Sequence, residues 1–149
     1  MQITSRFTIA IHIITCISHF GKDFKVTSRF LSGSTNINPV MIRNVCLMLK
    51  NAGIISSRQG ASGIKLAKAP SEISLYDIYK AVANEDEKSI FHFHENPNAA
   101  CPVGRNIHRS LDPYLENAQI KMENELKKTS MQEIIDNTEK EIAAEDETT

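Results

Sequence analysis

The stretch NINPVMIRNVCLMLKNAGIISSRQG, residues 36–60, holds both ends of a helix and the start of something different. Asn38 is a natural N-cap, and Pro39 suits the first helical position, where a missing N–H costs nothing. Ile42, Val45, Cys46 and Leu49 recur at i, i+3, i+4 and i+7, one buried stripe of a helix. Gly53 stands where the chain must turn left-handed to leave that helix. Residues 54–58 and 64–67 then read as two short strands, joined by the glycine-hinged tip QGASG, and Pro70 closes the unit. Upstream, Thr27 or Ser28 caps a short helix ending near Gly33, with GSTNIN as a turn. Two helices across a tight turn, followed by a two-stranded ribbon, make a winged helix-turn-helix. Such a unit offers the leading end of its second helix to a DNA major groove.

The floor of that unit comes first in the chain. FTIAIHIITCISHF, residues 7–20, is the most apolar run. Its five isoleucines favour strand by propensity. Its length and nearly all-round apolarity predict a buried helix, capped by Thr4 or Ser5 and running to about residue 19. It is too short to span a bilayer and carries His12, Ser18 and His19. No basic leader with a small-residue cleavage site frames it, so a cytoplasmic protein with no membrane contact is expected.

After the ribbon, Ser74 caps a helix on which Leu75, Ile78, Tyr79 and Val82 share a face. NEDEK interrupts it, and SIFHFHENPNAACPVG reads as a loop. A long helix follows from about residue 104. Ile107, Leu111, Tyr114, Leu115, Ala118, Met122 and Leu126 form its apolar stripe, opposite Glu116, Lys121, Glu125 and Lys128. The stripe keeps phase across Pro113, which favours one kinked helix over a fresh start. A single stripe outside a compact domain calls for a partner, and a second copy is the simplest one. A last helix, residues 131–142, capped by Thr129 or Ser130, trails into an acidic, frayed tail. The expected fold is mainly α with a small β-wing. The expected parts are a winged helix-turn-helix domain over 1–83, a sensor loop over 84–103, and a dimerisation helix with a C-terminal helix over 104–145.

A formal charge of −1 hides a strong segregation. Residues 1–69 hold nine Lys and Arg against the single acid Asp23, a net of +8; the remainder is −9. A basic module on an acidic body suits a polyanionic partner. Cys16, Cys46 and Cys101 are an odd, scattered set without a CxxC, unlike a secreted disulfide framework.

The segments INPVMIRNVCLMLKNAGII and RQGASGIKLAKAPSEISLYDIYKAV resemble the Rrf-two family of bacterial winged helix-turn-helix transcription regulators, over roughly residues 2–128. FHFHENPNAACPVG resembles the YwnA-like branch, in which one Cys-Pro-hydrophobic-Gly precedes the dimer helix. The resemblance implies a homodimer with a long crossing dimerisation helix, acting as a repressor at its operator. It also implies a wing arginine entering the minor groove. Here the wing has Gln59-Gly60, with Arg58 one place early, so that contact is absent or shifted to Arg58. Ile64 replaces the second glycine of the family's terminal pair.

For the double-stranded DNA of a palindromic operator, phosphate contacts position and base contacts specify. Ser5, Arg6, Lys25, Thr27, Ser28 and Lys65 are the candidate phosphate ligands. Asn38, Arg43 and Asn44 are the candidates for base edges, with Pro39 beside them at the tip and Val40 or Met41 for a thymine methyl. Asn38 could equally serve only as a cap, and Asn44 could face a neighbouring helix. Cys16 and Cys46, on core faces, read as small hydrophobes. One local thiol is too few for an iron–sulfur cluster, and no cofactor is expected. Cys101, ahead of a helix and followed by Arg105, fits a thiolate switch responsive to oxidants; the alternative is an unreactive structural cysteine. His92, His94, Cys101 and His108 form a rival zinc array with irregular spacing. A winged helix that binds protein instead of DNA is a second rival. No Ser-His-Asp order, carboxylate pair or phosphate loop points to an enzyme, and no catalytic residue is expected.

Overall fold

The computed structural model describes residues 4–57, 63–84 and 89–148. Its elements are α1 (Ser5–Phe20), α2 (Ser28–Thr35), α3 (Pro39–Asn51), β1 (Ile55–Ser57), β2 (Ile64–Leu66), α4 (Leu75–Val82), α5 (Ile107–Lys128) and α6 (Met131–Glu147), with a short 3₁₀ turn at Pro70–Glu72. The isoleucine-rich run is helical. As α1 it is the axle of the fold, touched by α2, α3, α4 and α6. Ile9, Ala10, Ile13, Ile14, Cys16 and Ile17 are buried on it. Neighbours on several sides are what an all-round apolar helix requires, and that packing overrides the strand propensity of isoleucine.

The helix pair is built by local chemistry. Thr27 Oγ1 accepts from the Phe30 N–H at 3.2 Å and starts α2. α2 runs two residues past Gly33 and ends at Asn36, whose φ of 55° gives the left-handed turn that asparagine tolerates. Ser32 Oγ donates to the Ile37 carbonyl at 2.5 Å and pins that turn. Asn38 Oδ1 accepts from the Met41 N–H at 2.9 Å, and Pro39 opens α3. At the other end Gly53 has φ +74°. Its N–H donates to the Lys50 carbonyl and that of Ile54 to the Leu49 carbonyl, both at 3.0 Å, the paired bonds of a Schellman motif.

The ribbon is antiparallel, with Ile55 opposite Leu66 and Ser57 opposite Ile64. The Ile64 N–H donates to the Val26 carbonyl at 2.9 Å, which ties the wing to the residues leading into α2. The hairpin tip, including Arg58 and Gln59, lies outside the described residues.

Two capping boxes stand side by side where α5 returns to the domain. Ser74 with Asp77 opens α4, and Ser130 with Glu133 opens α6. The segments before them bridge, Leu75 N–H to the Thr129 carbonyl at 2.9 Å and Met131 N–H to the Ile73 carbonyl at 2.7 Å. α6 differs from expectation. It continues to Glu147 as a full helix and packs on α1, because Met131 and Ile135 are buried in the same core. α5 is continuous through Pro113 and begins at Ile107.

Candidate nucleic-acid interface

α3 sets the surface. Ile42, Val45 and Leu49 are fully buried, so the helix cannot rotate, and Cys46 beside them is half-buried. The opposite side is therefore presented outward. Asn38, Pro39, Val40, Arg43 and Asn44 are all exposed at the leading end, Val40 to 59%. Two grooves flank the helix. One, of about 420 Å³, lies toward the start of α1 and is lined by Ser5, Arg6, Met41 and Asn44 among others. The second, of about 270 Å³, lies toward the wing and is lined by Ser28, Arg43, Lys50 and Ser57 among others. The structure thus gathers Ser5, Arg6 and Asn44 along one side of α3, and Ser28 and Arg43 along the other. Lys25, Thr27 and Lys65 are exposed.

Two candidates are partly committed elsewhere. The Asn38 side-chain oxygen is the helix cap, so of its amide group only the N–H₂ is left outside that bond. Arg6 donates from Nε to Thr4 Oγ1 at 3.3 Å, and its Nη reaches the Asn84 amide. That arrangement fixes the guanidinium at the mouth of the first groove. Leu47 and Lys50 were not among the sequence candidates. They continue the line of Arg43 at i+4 and i+7, Leu47 is 57% exposed, and both border the wing-side groove. The helical period that marked the buried stripe also marks this outward one.

The loop before α5 has its own framework. Ile90, a buried residue, donates its N–H to Gln119 Oε1 at 3.1 Å, and Ser89 Oγ donates to the same oxygen at 3.2 Å. His108 faces Asp112 Oδ1 through Nδ1 at 3.1 Å and the His94 carbonyl through Nε2 at 2.9 Å. Cys101 is exposed. Its N–H donates to the Asn98 carbonyl at 3.1 Å, and its own carbonyl accepts from the Arg105 N–H at 3.0 Å. A Cβ at Gly104 would stand 2.3 Å from the Asn98 carbonyl oxygen, so this turn closes only around a glycine. α5 starts six residues after Cys101, and the intervening N–H groups of Arg105, Asn106 and Ile107 bond to backbone carbonyls.

The other two thiols sit among apolar groups. Burial pushes the Cys46 thiol up to about 11. Burial also raises Cys16, partly offset by its contact with Ser34 Oγ at 3.3 Å. For the zinc array, the His94 and His108 rings lie 5.0 Å apart, but both nitrogens of His108 already face oxygens. Among the described residues, no group of three or more His, Cys, Asp or Glu side chains is placed to hold a metal ion. Also among them, no helix is long and apolar enough to cross a membrane.

The stripe expected on α5 divides in two. Ile107, Leu115, Met122 and Leu126 are half-buried toward the chain's own domain. Leu111, Tyr114 and Ala118 stay exposed, Tyr114 to 75%.

A capped reading helix with a basic surround, a two-stranded wing and a long trailing helix define a winged helix-turn-helix of the transcription-regulator class. The chain matches the Rrf2 family, described as "Iron-dependent Transcriptional regulator", over residues 3–137, and it belongs to that family. It is 42% identical over 134 residues to the "Putative HTH-type transcriptional regulator YwnA" of Bacillus subtilis (strain 168), covering 90% of this chain and 97% of that protein. A solved structure titled "Crystal structure of a putative DNA binding protein" is 38% identical, with a TM-score of 0.71 over 88% of this chain and 99% of that one. The structure of CymR, the global cysteine regulator of B. subtilis, shares the fold, with 17% identity and a TM-score of 0.64 over 91% of this chain and 97% of that one.

Proposed function

We propose that this chain is a sequence-specific, homodimeric repressor of transcription, with residues 1–83 as the DNA-reading domain, 84–103 as the sensor loop and 104–145 as the dimerisation part. The observation that carries this reading is the leading end of α3. Asn38, Pro39, Val40, Arg43 and Asn44 protrude from the half of the chain that bears +8. Arg43 pairs with a guanine edge and Asn44 with an adenine. Ser5, Arg6, Lys25, Thr27, Ser28 and Lys65 hold phosphates on either side. Two-fold symmetry makes the operator a palindrome, with half-site centres about one helical turn, or a multiple of it, apart.

Cys101 is the switch. Peroxide is a sufficient oxidant: the thiolate sulfur attacks one peroxide oxygen, the O–O bond breaks, and a sulfenic acid forms with release of hydroxide, which takes a proton from solvent to become water. A small thiol or a second cysteine then condenses with the sulfenic acid to a disulfide, releasing a second water. A disulfide at the exposed Cys101 pulls on the turn that Gly104 closes, and the angle between the dimer helices shifts with it. Exposure of Cys101 and the apolar settings of Cys16 and Cys46 support this division of roles. The test is selection of bound sequences from random duplexes, with and without peroxide, for wild type and Cys101→Ser. A palindromic motif lost on oxidation of wild type and kept by Cys101→Ser is the expected result. Equal release from both proteins removes Cys101 as the switch, and no enriched motif removes the regulator reading.

A further inference from the structure

The first turn of α1 departs from helix habit. Thr4 is its N-cap. A capping threonine ordinarily accepts from an N–H of that turn. Among the described residues, Thr4 Oγ1 caps no helix N–H and instead accepts from Arg6 Nε at 3.3 Å. The Nη end of the same guanidinium meets Asn84. With its amide oxygen turned to the guanidinium, Asn84 accepts from Arg6 Nη2 at 3.0 Å and from Nη1 at 3.2 Å. Packing brings the two residues together from distant parts of the chain. Asn84 stands just past Val82, which is buried with Ile78 and Tyr79 on α4. The Ala83 N–H still donates to the Tyr79 carbonyl at 3.1 Å. Phe7, next to Arg6, meets the Tyr79 ring edge-on with centroids 6.1 Å apart, which sets the start of α1 against the end of α4.

The held guanidinium lies at the mouth of the groove that Ser5, Met41 and Asn44 also line, beside the leading end of α3. A planar guanidinium matches the oxygens of a phosphate. A long, mobile side chain loses rotamer freedom on gripping one, whereas a side chain already held has lost it beforehand. Thr4 and Asn84 are uncharged, so these two contacts orient Arg6 without subtracting from its charge. α1 gives up a side-chain cap for the arrangement, a local loss of the kind that functional sites carry. We propose that Thr4 and Asn84 are positioning residues: from two sides they hold the Arg6 guanidinium in the pose that takes a DNA phosphate next to Asn44. This rests on the DNA-reading proposal and adds what makes one of its phosphate contacts rigid. A phosphate contact carries no sequence information, so the effect is the same on every duplex.

Fluorescence anisotropy of the full chain with a labelled duplex of random sequence, over a salt series and with thermal melts alongside, tests this. Arg6→Ala should lower the salt slope by about 1 per subunit engaged. Thr4→Val and Asn84→Ala should each weaken binding roughly two- to tenfold, with the slope and the melting temperature unchanged. In the Arg6→Ala background, Asn84→Ala should have no further effect, because it acts through that guanidinium. Asn84→Asp keeps the acceptor but adds a negative charge beside the phosphate, so its slope should fall toward that of Arg6→Ala. Full binding by Asn84→Ala, or an equal loss from it with and without Arg6, overturns the positioning role. A salt slope that Arg6→Ala leaves intact overturns it too, while the regulator reading stands as long as wild type binds the duplex. A wild-type protein that binds no duplex overturns both.

Discussion

In the proposed reading, Arg43 is the side chain on which sequence preference turns most directly. It lies one position from the fully buried Ile42 on a helix whose rotation is fixed by three core residues. Its position is therefore set by packing rather than by its own flexibility. Arg43→Ala should weaken operator binding by roughly 1–3 kcal/mol per half-site and relax preference at one base pair, read by titration against singly substituted operators. Three places further on, Cys46 allows a prediction with a definite sign. Its folded thiol is raised from 9.0 to about 11, so the folded state holds the proton more tightly than the unfolded chain. The contribution to stability is complete below pH 9 and is lost as pH rises toward 11. Melting temperatures across that range should fall less steeply for Cys46→Ala than for wild type. Asn38 illustrates what a sequence leaves open at this scale. One residue type serves both as a helix cap and as an adenine reader, and only geometry showed its oxygen to be spent on the Met41 N–H.

Elements with chemical punctuation at both ends were legible. α3 had a cap, a proline and a terminal glycine, and it occupies the expected residues. α4 was announced by Ser74 and α6 by Thr129 or Ser130, and in both helices the serine caps together with an acid three places on. Elements whose extent depends on a distant partner were less legible. The end of α6 looked like a frayed acidic tail because its anchors, among them Met131 and Ile135 in the core and Glu139 against His19 at 2.6 Å, meet partners on α1 more than a hundred residues earlier. The stripe on α5 was visible, but not its division into a face packed on its own domain and a face left exposed; that depends on where α4 lies. The anchoring role has a direct consequence. Met131 is fully buried, so Met131→Ala should cost about 2–5 kcal/mol in chemical denaturation and loosen the whole domain, not the C-terminus alone. A loss under 1 kcal/mol would show that α6 is an appendage.

Across the whole molecule, charge is divided along the chain, and the fold brings the two parts into contact. Residues 1–69 bear +8, and the rest bears −9. α6, rich in acids, packs on α1, yet the α3 end of the domain keeps Arg43, Lys25 and Lys65 exposed. The net charge of −1 therefore says little about what the reading face meets. Duplex DNA sees the local field within about one Debye length, ~8 Å at physiological salt, and not the total. Binding should weaken linearly on a log–log plot of affinity against salt, as phosphate contacts release counterions. Lys25→Ala and Lys65→Ala should each reduce the slope by about 1 per subunit engaged, while lowering affinity equally for operator and random DNA. Arg43→Ala should instead narrow the gap between those two DNAs. Fluorescence anisotropy over a salt series with both DNAs separates these outcomes. A lysine variant that changed sequence preference, or an affinity indifferent to salt, would mean that the basic half meets something other than a phosphate backbone.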